Sequence, residues 1–343
     1  MKDNEWAMSK YPFVPGHEVV GTLLAHGSEV SLKNGLKQWR EFPCTRLGVG
    51  WIRNSCRRCY ACLKGQENVC AEGYEGTILN GNFGGFQSVI RVPADFAYKI
   101  PDGLSSDAAA PLLCAGITVY APLKRFMTAG QRIGVLGIGG LGHLAIQFAS
   151  KMGGNVAAMD LGRAKEKEVR RHVPEGFETP SICLTEDGQR CLAGLPQVMD
   201  LGAHMLVDMT KKEDWQSYTG ANGFDVIINC SSANVDTGLL LSMLRNDGTL
   251  IQVHSTMACI TGCPTLTTLL QSPCFEQVFG QKKVAGSIVG GRADMDAMLQ
   301  LAATHGIAPY IETLPFSKVN EALEKVAKGQ AHYRVVLTLS DEA

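Results

Sequence analysis

The run Ile133-Gly134-Val135-Leu136-Gly137-Ile138-Gly139-Gly140-Leu141-Gly142-His143 limits the fold of this chain more than any other segment. An apolar strand pattern enters a glycine-rich turn, and an apolar helical pattern, LAIQFASKMG, leaves it. In that setting G-x-G-x-x-G predicts a pyrophosphate seated at a helix N-terminus, where backbone N–H groups lack partners within the helix. Gly137 and Gly139 suit a tight turn and close approach of backbone to ligand, and Gly142 lets helix pack on strand. Gly140 and Leu141 complete the candidate cofactor-binding turn. The next strand, Asn155-Val156-Ala157-Ala158-Met159, ends at Asp160, about twenty residues beyond the turn. A carboxylate there can hold both ribose hydroxyls of NAD and would repel the extra phosphate of NADP. A turn or helix-capping role is the plain structural alternative for Asp160.

The region from about 116 to 289 alternates strand and helix patterns. Candidate strands are 132–136, 155–159, 204–208, 224–229, 248–253 and 283–288. This predicts an α/β fold, a doubly wound parallel sheet of Rossmann type covered on both faces. Residues 1–115 hold short, Gly-rich strand patterns, as expected of a twisted, barrel-like lobe. The length, 343 residues, suits two lobes.

Four thiols stand close together in C-R-R-C-Y-A-C-L-K-G-Q-E-N-V-C: Cys56, Cys59, Cys62 and Cys70. Such spacing can close a tetrahedral S4 shell on one zinc ion, against the alternative of buried or disulfide-linked cysteine. Four protein ligands leave zinc no open position, so the site predicts a structural staple without chemistry. A second metal site is suggested by two separated pieces, Pro15-Gly16-His17-Glu18 and Pro111-Leu112-Leu113-Cys114-Ala115-Gly116. Imidazole and thiolate are good zinc ligands, and a carboxylate can complete the shell. Taken singly, His17 reads as a satisfied structural residue and Cys114 as inert core.

The formal net charge is −1, and no basic stripe is present, which argues against nucleic acid as a main partner. No uninterrupted apolar stretch in the sequence is long enough to span a bilayer. Met1 is followed by Lys2, Asp3, Asn4 and Glu5, which is no signal-peptide pattern. Twelve cysteines without such a pattern favour a reducing compartment, hence a cytoplasmic protein with thiolate metal sites.

The combination resembles the zinc-containing medium-chain alcohol dehydrogenases, in their cinnamyl-alcohol-dehydrogenase-like and yeast-type branches and of fungal type. The resemblance rests on PFVPGHEVVG, GVGWIRNSCRRCYACLKGQENVC, GNFGGFQSVIRVPADFAYKIP, APLLCAGITVYAPLK, GVLGIGGLGHLAIQFASKMG, RNDGTLIQV and VAGSIVGGRADM, in family order over most of the chain. It implies a GroES-like, β-barrel-type catalytic domain from 1–115 and 290–343 around a Rossmann domain at 116–289. It implies hydride transfer between a primary alcohol or an aldehyde and NAD(P)(H). His17, Glu18 and Cys114 would be the catalytic zinc set, with Glu18 a transient ligand, and the four clustered cysteines would hold the structural zinc. Thr118 would lie beside the nicotinamide, Arg334 near the cofactor phosphates, and Trp51 at the substrate pocket. The resemblance also implies a homodimer or homotetramer, paired through the last strand of the cofactor lobe, Lys283 to Val289.

Cofactor choice is divided. Asp160 with Leu161-Gly162-Arg163-Ala164-Lys165 resembles the yeast-type D-x-G-x-x-K pattern that goes with NAD, whereas cinnamyl-type relatives place small hydroxyl residues there and use NADP. Three departures accompany the resemblance. The family's G-x-C-H-[ST]-D stretch, with its thiolate ligand and relay hydroxyl, aligns upstream of Met1. Insertions fall at 31–45 and near 170–197, consistent with a gene-model artefact or with divergence. A catalytically impaired dinucleotide-binding scaffold is therefore the competing expectation. A zinc-free quinone-reductase-like relative is opposed by the four clustered cysteines.

Overall fold

The continuous apolar runs of the middle of the chain do become a sheet. The computed structural model describes residues 10–28, 30, 45–79, 81–160, 199–233, 235–253, 274–331 and 333–339. In chain order the strands are β1 (Val19–Thr22), β2 (Arg46–Val49), β3 (Ile52–Asn54), β4 (Glu75–Gly76), β5 (Tyr98–Lys99), β6 (Arg132–Leu136) and β7 (Asn155–Asp160). They continue as β8 (Met205–Asp208), β9 (Phe224–Asn229), β10 (Leu244–Gln252), β11 (Lys283–Gly286), β12 (Ile311–Pro315) and β13 (Arg334–Thr338). The chain divides into two compact units, Met1–Ala121 with Ser287–Ala343, and Pro122–Gly286.

The second unit is built on a six-stranded sheet in the order β11-β10-β9-β6-β7-β8. Its strand pairs are all parallel. β9, FDVIIN, is buried at every position, because a central parallel strand meets cover on both faces. The chain runs outward from β6 through β7 and β8, then returns to lay β9 on the other flank of β6. The carboxyl ends of β6 and β9 therefore form the switch point at which open α/β sheets bind ligands. Five of the six expected strands appear within one or two residues of the expected bounds. The fifth in chain order, β10, begins at Leu244 rather than 248, and its register on β9 shifts between Leu244 and Thr249. The intervening Arg245-Asn246-Asp247-Gly248 is a polar turn-like sequence with Asp247 at φ 65°, so no strand pattern announces it. Leu136, Met159, Phe224, Ile227 and Leu250 of the sheet join one buried cluster with Leu240, Leu241 and Met243.

In the first unit β1, β2 and β5 form an antiparallel sheet, β3 pairs antiparallel with β4, and β12 lies parallel to β13. A helical run, Ser106–Phe126, follows β5. It comprises α1 (Ser106–Pro111), a π-type turn at Leu112–Gly116, and α2 (Ile117–Phe126). Ser105 caps its start, accepting a hydrogen bond from Ala108 N at 3.3 Å. By length and composition this run could cross a membrane, but 72% of its most apolar window is buried in the fold, as in the core helix of a globular protein. Both insertions seen in the sequence, apart from Thr45, lie outside the described residues.

Candidate functional site

Two thiol-bearing clusters form in the first unit. Cys56, Cys59, Cys62 and Cys70 bring their sulfurs within 4.8 Å of one another. Cys56 and Cys62 lie 3.9 Å apart, Cys59 and Cys70 4.0 Å. A tetrahedral shell with Zn–S of about 2.3 Å has edges of about 3.8 Å, so the four sulfurs fit zinc. The loop reaches this geometry through Arg57, which takes the left-handed backbone at φ 57°, and the short helix Tyr60–Leu63. Backbone N–H groups point at sulfur: Cys59 N to Cys56 Sγ at 3.3 Å, and Ala71 N to Cys59 Sγ at 3.4 Å. Donors of this kind stabilise thiolate. The N–H groups of Cys62 and Ala71 draw the Cys59 thiol down to about 6, while burial pushes Cys62 up to about 12.

The second cluster joins His17, Glu18 and Cys114, whose ligand atoms also lie within 4.8 Å of one another. Gly16 turns the chain into it at φ 94°, a conformation that a side chain would strain. Cys114 comes from the π-type turn, and such turns recur at functional sites because they re-aim side chains. Glu18 accepts from Ala115 N at 3.3 Å, next to Cys114, and is ion-paired with Arg334 of β13. The His17 ring meets Trp51 edge-on, with centroids 4.9 Å apart. Trp51 Nε1 in turn donates to Tyr74 Oη at 2.9 Å. Burial holds the His17 imidazole below its usual range, with Glu18 opposing and Arg334 assisting. Burial pushes the Cys114 thiol up to about 12, raised further by Glu18 and opposed by Arg334 and by a hydrogen bond with Thr118. A neutral imidazole, a thiol able to ionise on metal and a carboxylate suit zinc, as a three-ligand set with an open position.

The glycine turn lies in the second unit. Gly137, at φ 84°, follows β6, and a Cβ there would stand 2.8 Å from the backbone of Ser231, just beyond β9. A Cβ on Gly142 would meet Gly137 O at 1.9 Å. Only glycine fits either place, and that absence of side chains leaves the turn open as a cradle for a phosphate group. Helix α3 (Gly142–Lys151) begins there, with Leu141 at its N-cap. Gly139 and Gly140 complete the turn. Asp160 ends β7 beside it, Gly137 N donating to Met159 O at 2.9 Å.

The structure thus brings the side chains of both expected sets together. Thr118, expected beside the nicotinamide, lies one helical turn beyond Cys114 and bonds its thiol. Trp51, expected at the substrate pocket, braces His17. Arg334, which the resemblance gives to cofactor phosphates, stands on Glu18, a partnership between residues 316 apart that no local pattern signals. Tyr74 and the Ala71 N–H were likewise invisible, since each acts through tertiary placement. Lys165 lies outside the described residues.

This geometry has known counterparts. The profile of the alcohol dehydrogenase GroES-like domain matches residues 1–102, and that of the zinc-binding dehydrogenases matches 201–337. A probable formaldehyde dehydrogenase of Bacillus subtilis is 35% identical over 98% of this chain and 84% of its own. An NADP-dependent alcohol dehydrogenase C of Mycobacterium bovis is 34% identical over 98% of this chain and 85% of its own. The solved structure of a cinnamyl alcohol dehydrogenase from Sorghum bicolor superposes with a TM-score of 0.76 at 30% identity, covering 99% of this chain and 85% of that one. A GroES-like zinc domain and a Rossmann sheet define the class. The chain belongs to the zinc-containing medium-chain alcohol dehydrogenase family.

Proposed function

We propose that this chain interconverts primary alcohols and aldehydes by hydride transfer with NAD(P)(H), dependent on zinc. The observation that carries the reading is the convergence of His17, Glu18 and Cys114 within 4.8 Å, in a chain that also bears the glycine turn. The chemistry supplied by zinc held there is Lewis-acid polarisation of an alcohol or carbonyl oxygen, and that supplied by nicotinamide is acceptance or donation of hydride. His17 contributes a neutral nitrogen, since burial keeps it unprotonated at neutral pH. Cys114 contributes a thiolate once its proton leaves to solvent. Arg334 holds Glu18 by charge, so the carboxylate would be free to ligate a metal only when that ion pair opens.

The relatives are dehydrogenases of alcohols and aldehydes, which disfavours a catalytically impaired scaffold. For the cofactor we favour NAD, because Asp160 ends β7, where a carboxylate could hold the hydroxyls of an adenosine ribose. The Mycobacterium relative bears the opposite preference in its name, so Asp160 is the residue on which the choice turns. We further assign a homodimer or homotetramer to the protein. Among the described residues β11 is a sheet edge with Val284 exposed, and Val278 and Phe279 stand 68% and 72% exposed on the helix before it. The test of the activity is turnover by the purified, zinc-replete protein on a panel of aliphatic and aromatic alcohols and aldehydes.

A further inference from the structure

His143 is fully buried, yet it belongs to neither metal cluster. Its ring Nδ1 lies 2.8 Å from the carbonyl oxygen of Gly139. Its backbone N donates to the same oxygen at 3.1 Å. A carbonyl only accepts, so Nδ1 must carry a proton, and both lone pairs of the Gly139 oxygen are engaged by one residue.

The peptide held in this way joins Gly139 to Gly140. It is flanked by glycine on both sides, so no Cβ resists its rotation, and it is intrinsically the loosest unit of the turn. A trans peptide points its N–H opposite its C=O. With the oxygen drawn to His143, the Gly140 N–H faces away from the helix's own first turn. A flipped peptide would instead present the oxygen, which repels phosphate.

We propose that His143 is a positioning residue that clamps the Gly139–Gly140 peptide in its anion-binding orientation. The proposal rests on the reading of this turn as the dinucleotide site. The imidazole acts through one carbonyl, and its contribution is preorganisation of the N–H at no cost upon binding.

The test compares the parent protein with His143→Leu, which removes the donor, and His143→Asn, whose amide nitrogen can replace Nδ1. Dissociation constants for NADH are read by fluorescence and those for ADP-ribose by calorimetry. The expected result is a loss of about tenfold for both ligands in His143→Leu, and recovery to within about threefold in His143→Asn. Parental affinity in His143→Leu, or equal loss in both variants, would overturn the clamp while leaving the dinucleotide site intact. Failure of the parent to bind either ligand would overturn the site and the clamp together. Nitrogen NMR of the histidine-labelled parent gives an answer independent of any variant's folding. An Nδ1-protonated tautomer for His143 is expected, and a bare Nδ1 would refute the contact.

Discussion

Asp160 and Cys114 carry the two sharpest expectations for single residues. Replacing Asp160 by Ser removes a carboxylate from the end of β7, and with it repulsion of a ribose phosphate. The unmodified chain should bind NADH more tightly than NADPH, and Asp160→Ser should move the ratio toward NADPH by about tenfold. Tighter binding of NADPH by the unmodified chain would remove Asp160 from this role. At Cys114 the sign of the pH dependence follows from burial. Its thiol is protonated at neutral pH, with a pKa of about 12, whereas His17 has already lost its proton below its ordinary 6.5. Zinc entering this set should release one proton, so its affinity should rise about tenfold per pH unit between 6.5 and 9. Calorimetry in buffers of different ionisation heat reads that proton directly. A pH-independent affinity would mean that Cys114 does not ligate.

Elements differ in how plainly the sequence announces them. β6, β7 and β9 are legible as apolar runs, because a strand buried on both faces must be apolar throughout. The four-cysteine loop is legible because its ligands are near neighbours. The π-type turn at Leu112–Gly116 is not, since Pro111 before it and Pro122 after it argue locally against one continuous helix. Tertiary packing overrides them, with Leu112, Leu113 and Ile117 fully buried. The Glu18–Arg334 pair is illegible for a different reason, because β1 and β13 approach only in the folded unit. The cysteine loop has its own prediction. Cys59→Ser deletes one of four ligands from a closed shell, so the variant should release its zinc and melt at lower temperature. Retention of tight zinc in Cys59→Ser, by elemental analysis, would contradict a structural role.

At the scale of the molecule the two metal sites should behave unequally. The four-cysteine set should hold zinc tightly in a closed shell, whereas His17, Glu18 and Cys114 form a smaller set whose carboxylate is shared with Arg334. A mild chelator should therefore strip the second site first and leave the fold in place. Assembly is the other property at this scale. A strand edge bordered by exposed Val278 and Phe279 should be covered by a second copy, so light scattering at micromolar concentration should give at least twice the chain mass of 36.9 kDa. A monomer would count against pairing at β11.

The most direct measurement follows reduced nicotinamide while the zinc-replete protein meets an alcohol or aldehyde panel, before and after mild chelation. Turnover should be present at the start, fall with loss of the weaker zinc at unchanged dinucleotide affinity, and return when zinc is restored. Dinucleotide binding without turnover on any substrate of the panel, or turnover indifferent to zinc, would contradict the assignment.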